Sequence, residues 1–150
     1  MREFGTKYDD ASWHYGGDFP KDLPSEAGAT HIAMFLVWAF EAGLSGDLHT
    51  KEFPEDLVLL RERNLSPAAF FLQACDGKMV SEDFNDEGNA FATAYYAPLK
   101  LYVTDYEEIL ARGLSSLYHV EDTWANFDRF KIRIDQRFGE WKQGRLPAPA

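Results

Sequence analysis

The stretch from Ile32 to Phe40 constrains the fold more than any other part of the chain. Apolar side chains fill nearly every face of a helix drawn through it: Ile32, Met34, Phe35, Leu36, Val37, Trp38, Ala39 and Phe40. A helix that is apolar all round is buried on every side. The pattern therefore predicts a central helix that begins between Ser25 and Thr30, ends near Gly43 and holds Trp38 inside the protein.

Further helices are predicted from caps, prolines and apolar spacing. Their expected starts are Pro54, the Ser66-Pro67 pair, Ser81, the residues after Pro98, and a cap at Asp122 or Thr123. Strand signals are weak, and Leu99–Thr104, which has some β-propensity, also fits a helix. These elements predict an all-α fold, a bundle of five or six helices with short connections.

The length of 150 residues fits one domain with a proper hydrophobic core. We expect a single helical domain over residues 1–143, including an aromatic-rich N-terminal segment over residues 1–24, and a flexible tail over residues 144–150. The single cysteine, Cys75, forms no internal disulfide. No apolar run has the length of a signal peptide or a membrane span, so a cytoplasmic location is expected.

The N-terminal segment is the most unusual part of the composition. Its residues KYDDASWHYGGDFPKDLP gather aromatic and acidic side chains between glycines and prolines. Aromatic groups near a terminus favour aggregation unless they are buried or used. The segment is therefore either clamped onto the core or presented to a partner, and the sequence leaves both possibilities open.

The formal net charge of −10 excludes some classes of partner. A field of this sign repels nucleic acid and anionic membranes and attracts cationic partners. The stripe formed by Arg129, Arg133 and Arg137 on the last helix is expected to pair with acidic residues of the same chain. A basic protein is therefore the favoured kind of partner.

No sequence motif indicates a reaction, a cofactor or a metal. The four histidines, His14, His31, His49 and His119, show none of the spacings typical of a local metal site. Cys75 lacks a nucleophile signature and is interpreted as a small buried apolar residue. We therefore expect no metal, no cofactor and no enzymatic activity.

Three segments together carry a resemblance to a known group. They are YDDASWHYGGDFP with EAGATHIAMFLVW, FLQACDGKM with GNAFATAYY, and SLYHVEDTWANFD. They resemble a family of small bacterial proteins of undefined function, many of which are similar in setting to the immunity proteins that accompany secreted toxins. The resemblance covers roughly residues 7 to 135 and implies no catalytic residues.

The function expected from these observations is that of a non-enzymatic immunity protein. Its acidic surface would cover the active site of a cognate, basic protein toxin. The residues expected to bind the partner are Asp9, Asp10, Trp13, His14, Tyr15, Asp18, Glu82, Asp83, Asp86 and Glu87. The alternative is a small-molecule binding protein or enzyme with a pocket that gathers Trp13, His14, His31 and His119.

Overall fold

The computed structural model describes residues 5–17, 19–97 and 100–147. Over these residues the chain forms one predominantly helical domain, which confirms the predicted fold class. Its helices are α1 (Thr30–Glu41), α2 (Glu55–Glu62), α3 (Pro67–Cys75), α4 (Asp86–Phe91), α5 (Lys100–Leu110) and α6 (Trp124–Lys142). Among the described residues, no helix has both the length and the apolar character that a membrane span requires.

Helix α1 lies at the centre of the domain, as its sequence predicts. Every residue from Thr30 to Phe40 is buried, and α1 packs against α3 and α6. Trp38 is 1% exposed, and its indole N–H donates to Asp135 Oδ1 on α6 at 2.8 Å. The apolar face of α6 thus covers one side of α1, while a polar contact at its edge satisfies the indole.

Several predicted helix boundaries are confirmed by their caps. The Ser66 hydroxyl accepts from the Ala69 N–H at the start of α3, with Pro67 in the first helical position. The Thr123 hydroxyl accepts from the Asn126 N–H at the start of α6. Ser81, in contrast, begins a one-turn 3-10 helix, Ser81–Asp83, and α4 is capped by Asn85 four residues later.

A small antiparallel sheet was not predicted. Strand β1 (Lys7–Asp10) pairs with β2 (Lys78–Val80), and the register is irregular between Lys7 and Asp9. The Ala11 N–H continues the connection by donating to the Gly77 carbonyl at 2.9 Å. The sheet fastens the N-terminal segment to the chain that follows α3.

The segment with weak β-propensity lies in α5 over its described part, residues 100–104. Leu99, like Pro98, lies outside the described residues. The described part of the tail, residues 144–147, follows α6, and Leu146 packs against the core.

Two arginines of the α6 stripe, Arg133 and Arg137, pair internally as predicted, through a buried carboxylate on α5. Arg129 instead donates to the Asn126 side chain and the Ile109 carbonyl. Arg137 contacts both oxygens of Asp105 at 2.8 and 2.9 Å, and Arg133 donates to Asp105 Oδ1 at 2.7 Å. The hydroxyl of Tyr95 donates to Asp105 Oδ2 at 2.7 Å. Burial alone would raise the pKa of Asp105, but Arg137, Tyr95 and Arg133 together hold it below its ordinary value.

Replacement of Trp38 should destabilise the core strongly. We expect Trp38→Ala to lower the free energy of unfolding by about 3–5 kcal/mol, because it leaves a cavity beside α6. Ile132→Ala is the control, since Ile132 lies on the outer face of α6 and is 71% exposed. Urea denaturation measures both variants, and a loss below about 1 kcal/mol for Trp38→Ala would contradict the central position of this side chain.

Asp105 should make the folded protein less stable as the pH falls. A carboxylate whose pKa is lowered by folding stabilises the protein fully above its unfolded pKa of about 3.9 and progressively less as the pH falls below it. Asp105→Asn should therefore cost about 3–5 kcal/mol at pH 7, because it leaves two arginines beside a neutral group.

The same variant should show a shallower decline in stability below pH 4, by up to about 1.4 kcal/mol per pH unit. Urea denaturation between pH 7 and pH 3 measures this slope. Asp47→Asn is the control, because Asp47 forms an exposed pair with Lys51. Parallel curves for wild type and Asp105→Asn would show that Asp105 carries none of the acid sensitivity.

Candidate functional site

The N-terminal segment divides its aromatic side chains between the interior and the surface. After β1 the chain forms a 3-10 helix, Ala11–His14, whose N-cap is Asp10. The tight turn directs His14 toward the core, whereas Trp13 and Tyr15 on either side remain 58% and 40% exposed. Beyond the small sheet, the segment is therefore anchored through His14, whose two neighbours are exposed.

His14 is held at both ring nitrogens. Its Nε2 lies 2.8 Å from Asp9 Oδ1, and its Nδ1 lies 2.8 Å from the hydroxyl oxygen of Tyr118. A neutral ring that donates from Nε2 to the carboxylate accepts at Nδ1 from the Tyr118 hydroxyl. The bond to Tyr118 connects the N-terminal segment to the Leu117–His119 turn that precedes α6.

Asp9 is the buried carboxylate on which this arrangement rests. Its Oδ2 accepts from the Tyr96 hydroxyl at 2.6 Å, and Nε2 of His31 lies 3.7 Å from the same oxygen. Burial alone would raise the pKa of Asp9, but the hydrogen bonds from His14 and Tyr96, together with the nearby imidazole of His31, lower it far below its ordinary value. Asp9 is therefore ionised at neutral pH although it is almost completely buried.

A layer of tyrosines surrounds His31 on α1. Burial lowers the pKa of His31, and its backbone carbonyl accepts from the Tyr102 hydroxyl at 2.5 Å. Two buried polar atoms, His31 Nδ1 and the Tyr106 hydroxyl, have no hydrogen-bond partner among the described residues. The tyrosines of this layer thus differ sharply in how well their hydroxyls are satisfied.

That difference gives a matched test of the cluster. Tyr96→Phe should lower the free energy of unfolding by about 1.5–3 kcal/mol, the range for a hydrogen bond to a charged group. Tyr106→Phe removes the same atom from a position without a protein partner and should change stability by less than about 0.5 kcal/mol or increase it. Chemical denaturation at pH 7 measures both. Equal losses would show that the Tyr96–Asp9 hydrogen bond contributes no more to stability than the unpaired Tyr106 hydroxyl.

An acidic groove lies beside this cluster. Its volume is about 310 Å³, and it is lined by the acidic residues Glu26, Glu121 and Asp122 and by apolar residues, among them Leu23, Pro24, Ala27 and Val120. The Asp122 carboxylate accepts from the Ser66 hydroxyl and the Ala68 N–H. Tyr118, the partner of His14, also lines the groove. The ring centroids of Phe19 and Tyr118 lie 5.0 Å apart, and those of Tyr15 and Phe19 lie 6.2 Å apart. Exposed Tyr15 is thus linked through a chain of aromatic rings to the edge of the groove.

A second cluster of polar side chains lies beside strand β2 and the Ser81–Asp83 turn. His49 Nε2 lies 2.9 Å from Asp83 Oδ1, and His49 Nδ1 lies 3.2 Å from Asp56 Oδ2. Burial alone would lower the pKa of His49, but the two carboxylates raise it. Cys75, at the end of α3, lies close enough for its sulfur to complete a group of possible metal ligands with His49 and Asp83.

The structure places the residues expected to bind a partner in two different environments. Asp9, Asp10 and Asp83 are buried and bonded within the chain, so they are removed from the accessible acidic surface that their sequence clusters suggested. Trp13 and Tyr15 are exposed, and His14 is partly buried.

The remaining residues of that set lie near the start of α4 or outside the described chain. Asp86 and Glu87 are exposed in the first turn of α4, and Glu87 pairs with Lys142 at 3.3 Å. Glu82 is partly buried, and its Oε2 accepts from the Gly5 N–H at 3.1 Å. Asp18 lies outside the described residues.

The alternative pocket is assembled only in part. His14 and His31 do meet, with ring centroids 4.5 Å apart. His119 instead contacts Asp22 Oδ2 at 3.0 Å and Ser116 Oγ at 2.8 Å, and Trp13 is exposed to solvent. The four residues therefore do not converge on one pocket.

Sequence spacing did not reveal the second cluster. His49, Asp56, Cys75 and Asp83 come from four separate segments, each without a histidine or cysteine motif of its own. The cluster around Asp9 also contains a group of possible metal ligands, because ligand atoms of Asp9, His14 and His31 lie close together. The expectation of no metal rested on local spacing, which does not test sites assembled by the fold.

Comparison with known proteins identifies a family but no activity. The family model described as a domain of unknown function, DUF7832, matches residues 7–120, so the chain belongs to that family. The match includes the N-terminal strand, the acidic groove except for its last two residues, and all members of both polar clusters. No curated protein and no solved structure matches the chain significantly.

Proposed function

We propose that this DUF7832 protein is a non-enzymatic immunity protein that binds and neutralises a basic protein toxin. The observation that carries the proposal is the exposure of Trp13 and Tyr15 on a turn that is anchored from inside. Tryptophan and tyrosine are the residue types most enriched among those that dominate binding energy at protein interfaces. Two such residues exposed beside a buried anchor form a candidate binding surface.

The anchor favours binding because it fixes the backbone of the turn beforehand. Association loses less conformational entropy when the contacting segment is already ordered. Here His14 connects the turn to Asp9 and Tyr118, and the Asp10 carboxylate accepts from both the backbone and the hydroxyl of Ser12. Trp13 and Tyr15 are therefore presented from a backbone held on both sides.

The acidic groove supports a basic partner. A lysine or arginine side chain could place its aliphatic stem along Leu23, Pro24 and Ala27 and its charged end beside Glu26 and Glu121. Glu26 and Glu121 are exposed, so they also contribute to the field outside the protein. Together with the net charge of −10, this field would accelerate association with a cationic toxin.

The acidic residues that would attract a basic partner differ in part from those expected from the sequence. Asp9, Asp10 and Asp83 act within the fold, whereas Glu26, Glu121, Asp86 and Glu87 have exposed carboxylates. Binding would occlude the toxin's active site in the cytoplasm of the producing cell, so no catalytic group is required.

The test begins with the proteins encoded by the genes adjacent to this one. Each is co-expressed with this chain, and we expect one of them to be toxic alone, harmless in its presence and recovered with it as a stable complex. Trp13→Ala and Tyr15→Ala should each weaken that complex by about 2 kcal/mol or more, roughly 30-fold, mainly through faster dissociation. Phe53→Ala is the control, since Phe53 is a similarly exposed aromatic residue (49%) that precedes α2.

The charge contribution is measured separately. Glu26→Gln combined with Glu121→Gln should slow association and reduce its dependence on salt, because exposed charges are screened beyond about 8 Å at physiological ionic strength. Melting temperatures of all variants identify any that lose stability instead. The proposal fails if no neighbouring product binds, or if Trp13→Ala and Tyr15→Ala bind as tightly as Phe53→Ala.

A further inference from the structure

A cavity of about 540 Å³ opens beside the second polar cluster. It lies between the N-terminal strand, the end of α3 and strand β2, and its lining includes Lys7, Leu48, Cys75, Lys78, Val80 and Asp83. Cys75 and Asp83 are thus shared between the cavity wall and the cluster around His49. This cavity is separate from the acidic groove and plays no part in the proposed interface.

Three different ligand atoms converge at the inner wall of the cavity. The imidazole nitrogen of His49, the sulfur of Cys75 and a carboxylate oxygen of Asp83 all lie within 4.8 Å of one another. His49 and Asp83 are almost completely buried, so neither is an incidental surface group. A set of one nitrogen, one sulfur and one oxygen is typical of zinc and unlike the all-oxygen sites of calcium or magnesium.

The outer contacts of these ligands also match a metal site. Metal-binding histidines commonly donate their other ring N–H to a carboxylate, which fixes the tautomer and the ring orientation. Asp56 Oδ2 occupies that position, 3.2 Å from His49 Nδ1. Asp83 is oriented in the same way, because its Oδ2 accepts from the Val80 N–H at 2.8 Å and leaves Oδ1 directed at His49.

The charge of the cluster favours a cation. Two carboxylates flank one imidazole, so even a protonated His49 leaves the group negative in a largely buried position. The lysines that line the cavity are engaged elsewhere, Lys7 with Asp10 at 2.9 Å and Lys78 with Asp76 at 3.1 Å. With a neutral His49, a divalent cation would offset two of the three negative charges carried by the two carboxylates and a Cys75 thiolate.

We propose that His49 Nε2, Cys75 Sγ and Asp83 Oδ1 bind a zinc ion whose fourth coordination position faces the cavity. Tetrahedral zinc with bonds of about 2.0–2.3 Å separates its ligand atoms by about 3.3–3.6 Å. His49 Nε2 and Asp83 Oδ1 lie 2.9 Å apart, so they need to separate by roughly half an ångström. The ion would join the Leu48–Glu52 turn, α3 and the Ser81–Asp83 turn, and it would leave one position for water or a small ligand.

The other group of possible ligands, Asp9, His14 and His31, is less suitable. Asp9 Oδ2 accepts from Tyr96, and Oδ1 accepts from the Asp10 N–H as well as from His14. A metal there would have to displace hydrogen bonds from groups that are not themselves ligands. At the proposed site, Asp83 Oδ1 bonds to His49, which is a ligand of the same ion.

Binding should release protons, which gives the site a chemical signature. Zinc binds cysteine as the thiolate, so coordination by Cys75 displaces the proton of its thiol. Metal affinity should accordingly increase with pH.

Cobalt(II) is the probe that distinguishes this site from weaker surface binding. Protein dialysed against a chelator is titrated with cobalt chloride, and we expect one equivalent to produce a near-ultraviolet thiolate-to-cobalt band together with visible bands of tetrahedral cobalt. Because Cys75 is the only cysteine, a thiolate band in the wild-type protein reports this residue directly. One equivalent of zinc chloride should then abolish the cobalt spectrum.

Variants assign the ligands. Cys75→Ala should abolish the thiolate band, His49→Gln should abolish binding of the single equivalent, and Asp56→Asn should weaken it about 10- to 100-fold while the band persists. His14→Gln is the matched control, because it alters a histidine–carboxylate pair in the other cluster and should leave the cobalt spectrum unchanged. Circular dichroism identifies any variant that fails to fold.

The proposal is overturned if folded, chelator-treated wild-type protein shows no thiolate-to-cobalt band when cobalt is added. It is also overturned if Cys75→Ala retains a single binding equivalent of unchanged affinity. Loss of the spectrum in His14→Gln, with retention in His49→Gln, would place the metal in the other cluster. The wild-type titration decides the question even if a variant is unstable.

Discussion

The arrangement of the proposed binding face depends on one buried negative charge, the carboxylate of Asp9. A buried carboxylate is strongly unfavourable unless hydrogen bonds and positive groups compensate it. Here the compensation comes from the N-terminal segment through His14, from α1 through His31 and from the region after α4 through Tyr96. The same charge therefore holds three distant parts of the chain together. Trp13 and Tyr15 are presented because the residue between them is bound to Asp9.

The elements that the sequence predicted well are those whose signals are local. The apolar faces of α1 require burial whatever surrounds them, and Ser66 and Thr123 form caps with residues three positions away. The strands Lys7–Asp10 and Lys78–Val80 are too short to show an alternating pattern, and each forms only because the other lies beside it. Their pairing is a property of the tertiary fold, so the sequence contained no local signal for it.

The candidate sites were less predictable, because charge in a sequence does not reveal burial. Asp9, Asp10 and Asp83 stood in acidic clusters typical of a solvated surface, yet each is bonded inside the chain. The order Trp13-His14-Tyr15 marked an unusual segment without indicating that the histidine points inward. The meeting of His49 with Cys75 depends on the position of α3 relative to the preceding turn, which no spacing rule describes.

The internal use of charge also explains why the surface is acidic. The arginines of α6 could compensate the charge of exposed acidic residues. Arg133 and Arg137, however, are bound to Asp105 and to neighbouring glutamates. Asp105, Glu108 and Glu140 thus neutralise both arginines within one local network. Exposed carboxylates such as Glu26 and Glu121 lie outside this network. The pairing that stabilises the helical bundle therefore keeps Arg133 and Arg137 from opposing the acidic field that a basic partner would meet at the groove.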